Sequence, residues 1–350
     1  VRDAREVLGT IVTITAYGDD TAEIETAIEV AYAEMSAVES ALDVYGGEDA
    51  EPGTCGTAAR INRMPYEWSP LPAEAQAVLA RTQDLEVEAV FSPSLFGVQR
   101  LYEFEKGGTV PDADDLAAAV EAAASFETRE ADGVVDGRFA PPAGGQASAA
   151  PDTDPPAPSA SATGTATDSA PAGGPVPTVG VDFGGAAKGL GLDRAVAALR
   201  ESGAVDAAVV SAGSTTIAIG DKPDGSPWKI GIEDPRDPES VVSVVEGTGD
   251  LIVSTSGDYQ RYFEIDGTRY HHILDPSTGM PARGLRSLTV VGAGSGLDSD
   301  ILSTALFVMG TERAAGYAER RELGLYAIDG EGRARITPGP DDSYSFGDAE

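Results

Sequence analysis

Apolar and polar residues alternate over residues 6–17 (EVLGTIVTITAY) with the period of two that marks a half-buried strand. The spacing then lengthens to the three-and-four rhythm of a helix over 22–42, through Ile24, Ala27, Ile28, Ala31 and Met35. Residues 72–86 and 111–124 predict two further helices, each with a proline near its first turn and acidic residues early, where the helix dipole favours them. Past residue 178 the alternation is denser. It predicts strands at 178–183, 207–219, 228–232, 241–245, 251–254, 262–265, 269–273 and 288–291, with helices at 186–201, 299–309 and 311–321 among them. Strands in adjacent pairs separated by helices predict an α+β fold with mixed or antiparallel sheets and packed helices, not a regular βαβ alternation.

Residues 141–177 interrupt this pattern. They consist almost wholly of Ala, Pro, Ser, Thr, Gly and Asp, with Val176 the one large aliphatic residue and no aromatic. Such a stretch cannot bury enough apolar area to offset the entropy of ordering itself, so it is expected to be a disordered insertion. The chain thus divides into 1–140, the insertion 141–177 and a C-terminal part 178–345. No apolar run approaches the roughly 20 residues of a membrane-spanning helix. No charged start followed by an apolar stretch and a small-residue cleavage site stands at residues 1–18, so no secretory signal is visible there, and the compartment stays open.

Charge narrows the partners. The chain carries 58 acidic and 24 basic side chains, a formal charge of −34, which repels phosphate backbones and anionic lipid headgroups and excludes a nucleic-acid reader. Lysine is scarce (Lys106, Lys188, Lys222 and Lys229), and the acid excess beside it resembles the proteins of salt-adapted organisms. The lone Cys55 excludes an intramolecular disulfide framework and any cysteine-based metal cage, and it lies far from the N-terminus, where a lipobox cysteine would stand.

Four segments carry candidate chemistry. In VDFGGAAKGL, 181–190, a predicted strand ends in two glycines and a helix begins; exposed amides at a helix start attract phosphate, and Lys188 adds a full charge there, although the same pattern also makes an ordinary strand-to-helix connection. RYHHILDPSTG, 269–279, holds both histidines, and because neighbouring strand residues face opposite sides, at most one of His271 and His272 lines a given pocket. In DSDILSTALFVMG, 298–310, Asp298 is the expected N-cap and Gly310 the stop, while Asp300 and Thr304, four apart, share one face. A carboxylate beside a hydroxyl is a hard-oxygen pair suited to Mg²⁺ or Ca²⁺. STSGDY, 254–259, supplies small hydroxyls and a glycine that either hold a phosphate or turn the chain.

Taken in order, VDFGGAAKG, VVSAG, PWKIGI, STSGDYQRYF, YHHILDPSTG and DSDILSTALFVMG resemble the motif series of the ApbE family, the FAD:protein FMN transferases. Fainter likenesses precede them in Leu8-Gly-Thr10, Ala59-Arg-Ile-Asn62 and Phe91-Ser-Pro-Ser94. The resemblance implies an ApbE-like, T-fold-related architecture. It also implies Mg²⁺-dependent transfer of FMN from FAD onto a threonine or serine hydroxyl of an acceptor protein, with AMP released.

By the same resemblance, Asp300 and Thr304 are side-chain ligands and Ala187 a backbone ligand of Mg²⁺, Lys188 meets the phosphates, and His272 deprotonates the acceptor hydroxyl. Asn62, Gly184, Gly185, Gly213, Ser256, Gly257 and Asp258 are the expected flavin-nucleotide contacts, with Tyr45 the nearest aromatic for the flavin ring. The implied acceptor is a membrane-associated electron-transfer protein outside the cytoplasm. The chain departs from the family pattern in Ala212-Gly-Ser-Thr215, where the family commonly has a second glycine and an acid, and at Ser92, which replaces an acid. Two other functions suit the same residues: an FAD pyrophosphatase, with water as nucleophile, and a non-catalytic flavin-binding protein. Thr163-Gly-Thr-Ala-Thr167 in the insertion superficially resembles the setting of an acceptor threonine, which raises self-modification as a minor possibility.

Overall fold

A computed structural model describes residues 1–44, 57–131, 133–141, 179–340 and 343–348. Tyr45, Cys55, the threonines of 163–167 and all of the low-complexity segment except Pro141 lie outside them.

The first half of the chain supplies strands β1 (Arg2–Val7) and β2 (Thr10–Tyr17), helices α1 (Thr21–Leu42) and α2 (Thr57–Arg63), the short strand β3 (Ser69–Pro70), helices α3 (Ala73–Asp84), α4 (Phe96–Leu101) and α5 (Ala113–Ala123), and the hairpin β4 (Phe126–Ala131) and β5 (Val134–Phe139). The second half begins with α6 (Gly184–Glu201). There follow β6 (Ala207–Ala212), β7 (Thr215–Ile219), β8 (Trp228–Asp234), β9 (Asp237–Gly247), β10 (Leu251–Gly257), β11 (Tyr262–Ile265), β12 (Thr268–His271) and β13 (Leu285–Val291). Helices α7 (Gly296–Met309) and α8 (Thr311–Arg321) and strands β14 (Gly324–Asp329), β15 (Ala334–Thr337) and β16 (Tyr344–Asp348) complete it.

An eight-stranded sheet ordered β1-β2-β6-β7-β10-β13-β14-β15 forms the centre, and every ladder in it is antiparallel. Its two faces are read off the alternation within single strands. Ala208, Val210 and Ala212 of β6 point to one side and join the apolar stripes of α1 (Ile24, Ala27, Ile28, Ala31, Met35) and α6 (Leu192, Ala195, Val196, Leu199). Ala207 points to the other and meets Trp228, Ile232 and Val245 of the small sheet β16-β9-β8. These elements make a helix layer, a large antiparallel sheet and a small sheet, and β3-β5-β4 and β11-β12 form two further small sheets. No helix among the described residues is long and apolar enough to cross a membrane.

Three expected strands differ. The run 6–17 is a hairpin, turned at Leu8 and Gly9, both at positive φ (58 and 65) as tight hairpin turns require. The run 207–219 is likewise two strands, β6 and β7, turned at Gly213 (φ 56) and Ser214. In both, the alternation resumes on the far side of a two-residue turn, so periodicity alone cannot see the break. Of 178–183, the described residues make only one parallel bridge, Gly180 to Leu95, and no strand. Asp298 is not an N-cap: Ser295 is, its Oγ accepting the Asp298 amide at 3.0 Å, and the helix starts at Gly296. Asp298 lies inside the first turn, where its carboxylate accepts two bonds from Arg81 at 2.8 and 2.7 Å.

Candidate active site

The close approach of α6 and α7 creates the site. A Cβ on Gly189 would lie 2.1 Å from the Gly296 carbonyl oxygen, and one on Gly296 would lie 2.6 Å from the Gly189 carbonyl oxygen, so the two helices meet backbone to backbone where only glycine fits. Side chains tie the same crossing. Asp193 of α6 accepts the amides of Gly296 and Leu297 at 2.7 and 2.9 Å, covering the start of α7. Burial raises the pKa of Asp193, partly offset by those two amides. In return Asp300 of α7 accepts the Gly189 amide at 2.9 Å through Oδ2.

This crossing brings the first turn of α6 beside the face of α7 that carries Asp300 and Thr304. Lys188 Nζ stands 3.6 Å from Asp300 Oδ1. Thr215 Oγ1 donates to that same Oδ1 at 3.3 Å, and it also meets Ser254 Oγ at 2.9 Å. The residue standing where the family pattern has an acid is thus a hydroxyl donor to the buried carboxylate. Ser254, Ser256 and Ser303 extend the hydroxyl cluster to Thr304.

A cleft of about 1300 Å³ opens over these residues. Gly184, Gly185, Ala187, Lys188, Gly213, Ser256, His272, Asp300 and Thr304 all line it. The two histidines divide as their neighbouring strand positions require. His271 is buried, with Nε2 donating to the Ala282 carbonyl at 2.8 Å, and burial lowers its pKa. His272 faces the cleft, half-buried, and its Nδ1 donates to the Arg261 carbonyl at 3.3 Å. That bond places the proton of the neutral ring on Nδ1 and leaves Nε2 with a lone pair. Desolvation, then the charge of Arg261, then His271 and Lys188 push the His272 pKa down to about 3.

Three expected contacts sit elsewhere. Asn62 is buried away from the cleft and clamps the chain that leads into α6: its Oδ1 accepts the Val181 amide at 2.6 Å, and its Nδ2 donates to the Val181 carbonyl at 2.9 Å. Gly257 ends β10 against the Tyr259 ring, where a Cβ would lie 2.2 Å away. Asp258 is buried and faces arginines: it accepts two bonds from Arg236, both 2.7 Å, and one from Arg269 at 3.5 Å. Asp258 also holds the Arg236 pKa above its ordinary value.

Arg236, Arg261 and Arg269 line the cleft with Lys188, a cationic group that one-dimensional reading did not assemble. Their positions lie in three separate segments, and no spacing rule links them. Arg269 also stacks 3.8 Å over the Tyr262 ring. Ser92, which stands where the family pattern has an acid, lines the cleft and pairs with Ser94 at 2.8 Å.

The donors offered near Lys188 are a carboxylate, hydroxyls and backbone carbonyls. Among the described residues there is no cluster of three or more His, Cys, Asp or Glu side chains suited to a metal. A hard cation that accepts hydroxyl, carbonyl and water oxygens fits such a set, and a soft one does not.

Fold and site together define a class: an antiparallel α+β protein with a polar cleft in which cations and hard oxygen donors meet at a helix start. The chain belongs to the ApbE family, whose model matches residues 8–328. It is 41% identical over 155 residues to an FAD:protein FMN transferase of Vibrio cholerae, covering 44% of this chain and 46% of that protein. The chain thus matches about half the length of this curated relative. Solved structures extend the likeness across the molecule: the ApbE protein of Thermotoga maritima (TM-score 0.73, 26% identity, 97% of both chains) and the apo form of the Pseudomonas stutzeri flavinyl transferase ApbE (TM-score 0.70, 26% identity, 97% of this chain and 94% of that one).

Proposed function

We propose that this protein is a Mg²⁺-dependent FAD:protein FMN transferase. The observation that carries the reading is the convergence of Lys188, Asp300, Thr304, Ala187 and His272 on one cleft in a member of the ApbE family. The curated relative of Vibrio cholerae bears the same activity in its name.

In this reading FAD lies in the cleft with its pyrophosphate at the start of α6. Lys188 meets the phosphate oxygens, and Arg236, Arg261 and Arg269 of the same cleft hold the anionic substrate in a molecule that otherwise repels it. Asp300, Thr304 and the Ala187 carbonyl hold Mg²⁺, which when bound supplies charge neutralisation at the pyrophosphate. His272, neutral at pH 7 with Nε2 free, takes the proton of the acceptor's threonine or serine hydroxyl. The hydroxyl oxygen bonds to the FMN-side phosphorus, the phosphorus–oxygen bond to the AMP half breaks, and AMP departs with the bridging oxygen. The arriving pyrophosphate offsets the positive charges that depress His272 and so raises its basicity when substrate is bound.

Incubation with FAD, Mg²⁺ and an acceptor domain is expected to yield covalent fluorescent flavin on the acceptor and an equal amount of AMP. Free FMN that added acceptor does not divert would instead establish hydrolysis, and tight FAD binding without any product would establish a binding protein.

A further inference from the structure

We propose that Ser256 and Ser303 are positioning residues that turn the Thr304 hydroxyl so that its lone pairs face the cleft as a ready-made cation ligand; the proposal rests on the transferase reading's assignment of Thr304. The argument is a count of protons. Thr215, Ser254, Ser303, Ser256 and Thr304 form a continuous chain of hydroxyl contacts: 2.9 Å for 215 to 254, 3.3 Å for 254 to 303, 2.9 Å for 303 to 256 and 3.1 Å for 256 to 304. Each hydroxyl has a single proton to donate.

Two of those protons have fixed destinations, because their partners only accept. Thr215 donates to the Asp300 carboxylate at 3.3 Å, and Ser303 donates to the Asp300 backbone carbonyl at 3.0 Å. With the Thr215 proton committed, Ser254 must supply the 2.9 Å bond between them. With the Ser303 proton also committed, neither Ser254 nor Ser303 has one left for the other, so their contact carries no proton in this count. Ser256 must then donate to Ser303. The bond between Ser256 and Thr304 can be filled only by Thr304, so the Thr304 proton points into the protein and its lone pairs are left outward. The same count has Asp300 accepting from Gly189 through one oxygen and from Thr215 through the other. Both proposed cation ligands are thereby oriented by neighbours that do not themselves need to touch the ion.

The buried position of this chain makes the orientation stiff. Thr215, Ser254 and Ser303 are fully buried, so their protons have no water to turn to, while Ser256 and Thr304 stand at the cleft end of the series. Removing Ser303 frees Ser256 to donate to Thr304, and the Thr304 proton then rotates toward the cleft, where it opposes a cation.

The test is binding of Mn²⁺ alone to the full chain, followed by the loss of the free-ion EPR signal, without FAD. Ser303→Ala and Ser256→Ala are each expected to weaken Mn²⁺ binding by about tenfold or more, the usual effect of losing a ligand's outer partner. Thr304→Ser, which keeps the hydroxyl, is expected to bind as the parent does. Ser287→Ala removes a buried hydroxyl outside the chain, one without a hydrogen-bond partner, and is expected to leave Mn²⁺ affinity unchanged. Ser256 lies on the cleft wall, so Ser256→Ala answers the question even if Ser303→Ala does not fold. Parental affinity in both serine variants, with affinity lost in Thr304→Ala, overturns the proposal and leaves the cation site standing. Absence of Mn²⁺ binding by the parent chain overturns the cation reading and this proposal together.

Discussion

Lys188 is the residue whose role separates most cleanly from folding. Its one ion-pair partner among the described residues is Asp300 at 3.6 Å, a carboxylate that Gly189 and Thr215 also serve. Because those two donors remain to the buried carboxylate, Lys188→Ala is expected to cost no more than about 1–3 kcal/mol of stability. A lost charge-assisted phosphate contact is worth about 1.5–3 kcal/mol, roughly ten- to a hundredfold in KM for FAD. A urea melt and a titration of rate against FAD check the pair, and an unchanged KM would remove Lys188 from the site. His272 makes a prediction in pH. Its pKa is lowered, so its ring stays neutral as pH falls through 6.5, and base function is lost only in strong acid. The value of kcat/KM reports the free protein, and no acid limb centred near 6.5 is expected from this group. Such a limb, absent in His272→Gln, would contradict the burial argument. The same sign governs folding: both histidines bind protons more readily unfolded, so their contribution to stability falls as pH drops below 6.5 toward their folded values. That only one of His271 and His272 would face a given pocket was legible from strand geometry, and the resemblance of the motif picked His272; the structure buries His271 and turns His272 to the cleft. The role of Asp258 was not. A buried acid looks the same in one dimension whether it faces a ligand or two arginines.

Among the elements, the crossing of α6 and α7 governs the site. Gly189→Ala places a methyl group 2.1 Å from the Gly296 carbonyl oxygen, so the helices must separate. Overpacking of this kind costs about 1–3 kcal/mol. It is expected to lower the urea midpoint and, by moving Asp300 away from the start of α6, to weaken divalent-cation binding as well. An unchanged midpoint would show that the crossing yields without cost. The longer helices were legible from their stripes, and α1 buries the residues its periodicity selects, whereas the short α2 and α4 were not foreseen. Turns were the blind spot. Leu8-Gly9 and Gly213-Ser214 reverse the chain in two residues, and the residues on either side keep the same alternation. The β4–β5 hairpin and strands β14 to β16 were not foreseen either. In β14 every residue is buried, so the alternation that marks a half-buried strand is absent.

For the molecule as a whole, the charge of −34 sets the terms of stability. Salt screens both the surface ion pairs and the repulsion among acids, but 58 acids against 24 bases leave far more repulsion than pairing to be screened. The Debye length falls from about 10 Å at 0.1 M to about 3 Å at 1 M. The urea midpoint is therefore expected to rise between 0.1 and 1 M KCl, and a fall would show that the ion pairs dominate. Against this background Lys188, Arg236, Arg261 and Arg269 place positive charge in a cleft that acids also line, among them Asp182, Glu233, Asp234 and Asp300. The sequence by itself determined the α+β class, the amphipathic helices, the hard-oxygen pair on one helix face and the opposite facing of the two histidines. These follow from periodicity and side-chain chemistry within a few residues. Only the tertiary structure decided that Thr215 donates to Asp300, that Asp258 anchors arginines, that Asn62 clamps the entry to α6 and that three arginines line one cleft with Lys188. Those facts depend on contacts between segments as far apart as Asn62 and Val181, 119 residues along the chain, which no local pattern encodes.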